Sequence, residues 1–349
     1  RPRSETNPRP MSLHVRRSYV FPSVLWLGFA LSACGTDDSE PAVTGGTAGA
    51  PGGSGNAAGS TGGSQTPIGG GGAGGGSEPP STMSTGCGKD SLEDPTEWNA
   101  HDVEVVVDPA YAENFSMRTY FTRPPATYDK NTPAVLTIWG QGCGQTVAEN
   151  TPLSEGPAAD GSIQLQLLAD PDSPYSCYSA GPDGDDPRSP ELPYFDEVLA
   201  EVLDTYCIDT TKIFMGGYSS GGWLTALVSC NRASVVRGVG WAAAGLQLNH
   251  DACEGPVAAI INRGVDDEGT PLDQTEAARN SLLLRNGCGH DTMPWEPGET
   301  EFDSSSCVEY QGCMPGYPVV WCPTPGGHSN GLDTGLSSHG FWKLWTSLP

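Results

Sequence analysis

The sequence predicts an α/β protein, built on a mostly parallel sheet with helices on both faces. Two observations carry this. Short apolar runs rich in β-branched residues alternate with longer stretches whose apolar residues recur every three or four positions. These alternations also run without an internal repeat from Cys87 to the end of the 349-residue chain. Strands separated by helices lie parallel and need cover on both sides.

The segment before Cys87 has a different texture. Met11 opens a short basic stretch, "MSLHVRR", followed by the apolar "YVFPSVLWLGFALSAC". That run is too short for an ordinary spanning helix, and residues 1–33 are read as a signal peptide. Residues 1–10 precede Met11 and are expected to lie upstream of the true start. Leu31-Ser32-Ala33-Cys34 resembles the lipobox of bacterial lipoproteins, which implies export and lipidation of Cys34. Residues 34–86 then form the lipidated N-terminus and a linker. Within it, 44–82 is almost all Gly, Ser, Ala, Thr and Pro, which cannot bury enough apolar surface to offset chain entropy. As a Gly-rich coil it spans about 35 Å root-mean-square.

The folded part is expected over 87–349. "VEVVV" (103–107) and "TYF" (119–121) are predicted as opening strands. "AVLTIW" (134–139), "IFM" (213–215), "GVGWA" (238–242), "VAAIIN" (257–262) and "PVVW" (318–321) are predicted as buried ones. Helices are predicted over 195–206, 222–230 and 273–287 from their three-and-four spacing.

The formal net charge is −25. Residues 1–33 hold five Arg and one acid, so their removal leaves 12 bases against 41 acids, or −29. Such a body repels phosphate backbones, which argues against a nucleic-acid partner. Ten of the 11 cysteines lie beyond Cys34, and no C-x-x-C pair suggests zinc or a redox site. In an exported chain they predict up to five disulfides, of a connectivity the sequence leaves open.

One stretch carries chemistry. Gly217-Tyr218-Ser219-Ser220-Gly221 matches G-x-S-x-G, a weak signal by itself in a chain with 47 glycines. Its context strengthens it, because it falls between a predicted strand and a predicted helix, where a nucleophile elbow must sit. The turn is so tight that residues two before and two after the serine cannot carry side chains. Ser220 as nucleophile would need glycine at 218, which is Tyr. Ser219 is therefore the expected nucleophile, with the Ser220 N–H facing a developing oxyanion at the helix N-terminus.

A serine hydroxyl needs a base, and the base needs a carboxylate to orient it. His328 lies in a Gly-rich loop after the last predicted strand and is the expected base, in preference to His339. His14, His101 and His250 lie in early or mid-chain segments. Asp266 and Asp267 both follow the penultimate strand, at the edge where functional loops gather, and one of them is expected to face the histidine. Asp251 precedes that strand. "WGQGCGQT" after the 134–139 strand offers exposed backbone for a second oxyanion donor, from Cys143 or a neighbour. Tyr218, Trp139, Trp223 and Trp321 are candidates to line an aromatic pocket, although their helical or strand spacing fits core packing better for most of them.

These pieces together resemble one family, the secreted α/β-hydrolase esterases that group polyhydroxybutyrate depolymerase-like proteins with feruloyl and acetylxylan esterases. "MRTYFTRPPATYDKNTPAVLTIWGQGCG" is similar to the family's opening strand, turn and "H-G-C-G" oxyanion loop. "YCIDTTKIFMGGYSSGGW" resembles the nucleophile stretch. "NRGVDDEGTPLDQTEAARNSLLLRNGC" resembles "H-G-x-x-D-x-x-V-P", which implies Asp267 as the acid. "CVEYQGCMPGYPVVWCPTPGGH" resembles the cysteine-rich segment ending in the catalytic histidine, here His328, and leans toward the feruloyl esterase branch. The family histidines of the first and third motifs are replaced by Gln141 and Arg263, and Ser329-Asn330 stands where "W-P" is frequent.

The resemblance implies an exported serine carboxylic ester hydrolase acting on aryl esters of plant polysaccharide, with no cofactor and no metal. A polyester depolymerase or acetylxylan esterase, and a non-catalytic polymer-binding lipoprotein, are the alternatives. The membrane is expected to be met only through Cys34, at the cell surface or outer membrane unless the protein is secreted. A monomer is expected.

Overall fold

In the computed structural model, the residues described are 82–349 without 92, 96, 111–114, 148–152, 154–155, 170–175, 181–188, 247–252, 297–305 and 330–335. The signal segment, Cys34, nearly all of the linker, His14, His250 and Asp251 lie outside them. In chain order the elements are β1 (Asn99–Glu104), β2 (Met117–Arg123), β3 (Ala134–Gly140), α1 (Gly156–Gly161), β4 (Ser162–Leu167), α2 (Glu191–Thr205), β5 (Ile208–Tyr218) and α3 (Ser220–Asn231). There follow β6 (Gly238–Ala242), β7 (Ala258–Gly264), α4 (Leu272–Arg285), β8 (Thr292–Pro294), β9 (Val308–Tyr310), β10 (Val319–Thr324), a π-helical turn (Leu336–Gly340) and α5 (Phe341–Thr346).

The strands form one sheet in the order β1-β2-β4-β3-β5-β6-β7-β10-β9-β8. The central run from β4 to β10 is parallel throughout. Antiparallel strands extend both flanks. Alternate residues of the central strands go to opposite faces, as the period of two requires. Leu136, Ile138, Ile213, Met215, Ala259, Ile261 and Val319 pack in a core with Phe195 and Val198 of α2, Leu224 and Val228 of α3, and Leu282 of α4. Trp139, Phe214, Ile260 and Val320 pack on the other face with Phe341, Leu344 and Trp345 of α5. Both faces are covered, and the α/β reading of the sequence is correct.

Three strand predictions need correction. The first strand lies at Asn99–Glu104, not 103–107, because its register is set by β2, with Asn99 opposite Thr122 and Glu104 opposite Met117. Val105 still turns inward, but Val106 is 81% exposed. The strand β4, "SIQLQL", is not among the strands that the sequence predicts. Its glutamines interrupt the apolar run, yet all six of its residues are buried. The third correction adds the pair β8 and β9, three residues each, too short to show a period.

The ten cysteines from Cys87 onward pair as Cys87–Cys207, Cys143–Cys177, Cys230–Cys253, Cys288–Cys313 and Cys307–Cys322. Five disulfides mark a chain that matures in an oxidising compartment, consistent with export.

Candidate active site

The turn from β5 into α3 is closely packed. Ser219 has φ 51° and ψ −119°, a region that L-residues avoid at a cost of roughly 1–3 kcal/mol. Its N–H donates to the Ala242 carbonyl (3.0 Å), and its own carbonyl accepts from the Trp223 N–H (3.0 Å). Both bonds hold the strained residue from outside the turn. The neighbouring glycines are obligatory for steric reasons. A Cβ on Gly217 would lie 2.1 Å from the Gly221 carbonyl oxygen, and one on Gly221 would lie 2.1 Å from that of Gly140. The end of β3 is thus pressed against the first turn of α3.

His328 comes over this turn from the loop after β10. Its Nε2 lies 2.9 Å from Ser219 Oγ. Its Nδ1 lies 3.0 and 3.1 Å from Asp267 Oδ1 and Oδ2. A carboxylate can only accept, so Nδ1 carries the proton and Nε2 presents its lone pair to the serine hydroxyl. The Asp267 side chain is fully buried, whereas that of His328 is 32% exposed. Asp267 Oδ1 also accepts from the N–H groups of Gly269 (2.8 Å) and Thr270 (3.0 Å), which fixes the carboxylate plane. Asp266 points to solvent, and only its N–H takes part, donating to the Gly326 carbonyl (2.9 Å).

In the sequence Arg263 stands only as a departure from a motif. In the structure it is 8% exposed. Its guanidinium donates to the carbonyls of Gly264 (2.7 Å) and Asp267 (3.0 Å), so it braces the acid loop from behind. Thr270 Oγ1 donates to the Ala243 carbonyl (2.9 Å) and ties the same loop to the end of β6. Neither role has a local sequence signal, because each depends on carbonyls whose position is set by the tertiary fold.

The loop after β3 runs beside the elbow. The Gly142 N–H is occupied by Gln145 Oε1 (2.9 Å), and the Gln141 N–H faces Tyr178 Oη (3.4 Å). Cys143 is exposed and is held by its disulfide to Cys177. Ser220 is buried, and its Oγ accepts from the Tyr178 N–H (2.8 Å).

The aromatic candidates separate. Tyr218 stays at the site, its hydroxyl donating to the His328 carbonyl (3.3 Å) and its ring 5.3 Å from the imidazole. Trp139 and Trp223 are 1% and 4% exposed and belong to the core, so they do not line a pocket. Strand alternation and the all-round burial of α3 put them there. Trp321 is half-buried, with the Arg279 guanidinium of α4 lying 5.0 Å over its ring.

His339 lies in the π-helical turn, with its Nδ1 2.9 Å from Ser338 Oγ.

A chain with this sheet and this turn is, by class, an α/β-hydrolase of the serine-esterase type. Over 254 residues, 70% of its length, it is 30% identical to feruloyl esterase D of Neurospora crassa and covers 82% of that protein. Over 160 residues, 44% of its length, it is 27% identical to feruloyl esterase C of Emericella nidulans, of which it spans 57%. A ferulic acid esterase from Anaeromyces mucronatus superposes with a TM-score of 0.45 and 14% identity, over 76% of this chain and 96% of that one. No protein-family profile matches the chain. It belongs to the feruloyl esterase family and is a carboxylic ester hydrolase.

Proposed function

We propose that this chain hydrolyses aryl esters of the feruloyl type, borne on plant polysaccharide, by way of Ser219, His328 and Asp267. The observation that carries the reading is the hydrogen-bonded line from Ser219 Oγ through the imidazole to Asp267, at 2.9 and 3.0 Å.

In this mechanism Ser219 Oγ attacks the ester carbonyl carbon while its proton passes to His328 Nε2. The carbonyl oxygen becomes an oxyanion beside the N–H groups of Ser220 and Cys143. The Cys143 N–H has no acceptor among the described residues. As the tetrahedral adduct collapses, the alcohol oxygen leaves with the proton from Nε2. A water then repeats the sequence on the acyl-enzyme, giving its proton to Nε2, and free acid and Ser219 Oγ–H are restored. Asp267 holds the imidazole in the required tautomer and stabilises the transient imidazolium. Tyr218, at the rim between the oxyanion loop and His328, would meet the aromatic acyl group.

The lipobox-like Leu31-Ser32-Ala33-Cys34 and the Gly-rich linker support a protein anchored through a lipidated Cys34, with the domain held off the surface. The test compares methyl ferulate, a short aryl acetate and a soluble hydroxybutyrate oligomer with wild-type and Ser219→Ala enzyme. Ferulate release that vanishes in the variant is expected. Turnover surviving in that variant would remove Ser219 from the mechanism. Preference for the oligomer would move the substrate to a polyester, and no turnover of any ester would favour a binding protein.

A further inference from the structure

The segment Ser176–Ser179 is remote in sequence from the elbow and from the loop after β3, yet it is joined to both. It meets the loop at three points. The Gly144 N–H donates to the Ser176 carbonyl (3.1 Å), Cys177 is disulfide-bonded to Cys143, and the Gln141 N–H points at Tyr178 Oη (3.4 Å). It meets the elbow through the Tyr178 N–H, which donates to Ser220 Oγ (2.8 Å). Tyr178 itself is 3% exposed, and its hydroxyl donates to the Leu167 carbonyl at the end of β4 (2.6 Å). Burial pushes that phenol well above its ordinary range, so it stays a donor at any working pH.

The segment is anchored from behind as well. The Ser179 N–H donates to Glu191 Oε1 (2.9 Å), at the start of α2. The other oxygen of Glu191 pairs with the Arg118 guanidinium (3.2 Å), which lies 4.0 Å over the Tyr194 ring. Both members of this ion pair are essentially inaccessible to water, with side chains 1% and 0% exposed. A buried ion pair contributes little net stability, but it holds one geometry, because either partner alone would be an uncompensated charge.

We propose that Tyr178 is a positioning residue of the oxyanion hole. It sets the separation between the donor on the loop after β3 and the donor at the head of α3, with Glu191 and Arg118 fixing the adjoining backbone at Ser179. The inference rests on the oxyanion reading of Cys143 and Ser220. Those two donors come from parts of the chain about 77 residues apart in sequence, and Tyr178 touches the neighbourhood of each, one through its side chain and the other through its main chain. A donor displaced by a fraction of an ångström from the developing charge loses much of its effect, so the clamp acts on kcat and leaves ground-state binding alone.

The test is Tyr178→Phe, which keeps the ring and removes the hydroxyl that spans Leu167 and Gln141. For an aryl ester that the wild type turns over in the same assay, kcat should fall roughly 10- to 100-fold with KM nearly unchanged. Affinity for an aryl boronic acid, which forms a tetrahedral adduct on the serine, should weaken by a similar factor. Tyr120→Phe removes another buried hydroxyl, one bonded to Glu201 (2.8 Å), and should lower the melting temperature while leaving kcat intact. Ser220→Ala removes the acceptor of the Tyr178 N–H while keeping the Ser220 N–H. It provides a second reading should Tyr178→Phe fail to fold, and is expected to weaken kcat and boronate binding together.

Wild-type kcat and boronate affinity in Tyr178→Phe would overturn the proposal, as would a loss confined to melting temperature. If Tyr178→Phe does not fold, the same result in Ser220→Ala would overturn it. Absence of ester turnover by the wild type would instead count against the esterase mechanism.

Discussion

Gly264 and Gly327 lie in contact, so closely that a Cβ on Gly264 would sit 2.1 Å from the Gly327 carbonyl oxygen. This approach joins the loop bearing Asp267 to the loop bearing His328. It is reinforced by the Val265 N–H donating to Thr324 (2.8 Å) and the Asp266 N–H donating to Gly326 (2.9 Å). Gly264→Ala should force the loops apart and lengthen the imidazole–carboxylate bond. Ester turnover is expected to drop by about 100-fold or more while the circular dichroism of the fold persists. Undiminished turnover would show that the loops can part without cost to the site.

Asp267→Asn separates orientation from charge. The amide oxygen can still accept from Gly269 and Thr270, so the loop keeps its shape. Its NH2 group then faces Nδ1 and favours the opposite imidazole tautomer, which turns an N–H toward Ser219. A loss of ~10³–10⁴ in kcat is expected, measured against an unchanged melting temperature. The same change at exposed Asp266 should leave kcat within about twofold, since surface substitutions rarely matter.

The orphaned amide of Gln141 offers a stability test. The residue is 1% exposed, and among the described residues neither its Oε1 nor its Nε2 has a hydrogen-bond partner. Replacing it by Met removes two buried, unsatisfied polar atoms at similar volume. Thermal or denaturant midpoints should hold or rise, by up to about 1–2 kcal/mol. A clear fall would mean that a buried water bridges the amide to its surroundings.

Acid sensitivity should arise on the opposite flank of the sheet. Burial works to raise the carboxyl of Glu93, but hydrogen bonds from His101, Thr122 and Tyr206 outweigh it and hold the group below its ordinary 4.5. A carboxyl depressed in the folded state contributes stability above its unfolded pKa and loses it as pH falls through the folded one. Denaturant midpoints should therefore decline below about pH 4.5, and Glu93→Gln should flatten that decline. An unchanged acid limb in the variant would place the sensitive carboxylate elsewhere.

Among the disulfides, Cys87–Cys207 closes a loop of 120 residues and fastens the segment before β1 to the end of α2. Chain-entropy arguments give it about 4–5 kcal/mol, against about 3 for the 15-residue Cys307–Cys322 loop. Paired Cys→Ala variants, compared by urea unfolding, should follow that order. Equal losses would point to native-state packing as the larger contribution.

The sequence alone determined whatever depends on neighbours along the chain. Short apolar, β-branched runs located every central strand except β4, and spacings of three and four located the three long helices. The glycines at 217 and 221 announced the elbow because a turn of that sharpness excludes side chains whatever surrounds it. Tertiary structure decided what depends on groups far apart in sequence. It chose the cysteine partners, turned Asp267 inward and Asp266 out, and used Arg263 to brace the acid loop. It also sank Trp139 and Trp223 into the core and brought Tyr178 against Ser220. Local sterics repeat wherever a motif occurs, whereas burial and long-range hydrogen bonds exist only once the sheet has stacked its strands out of sequence order.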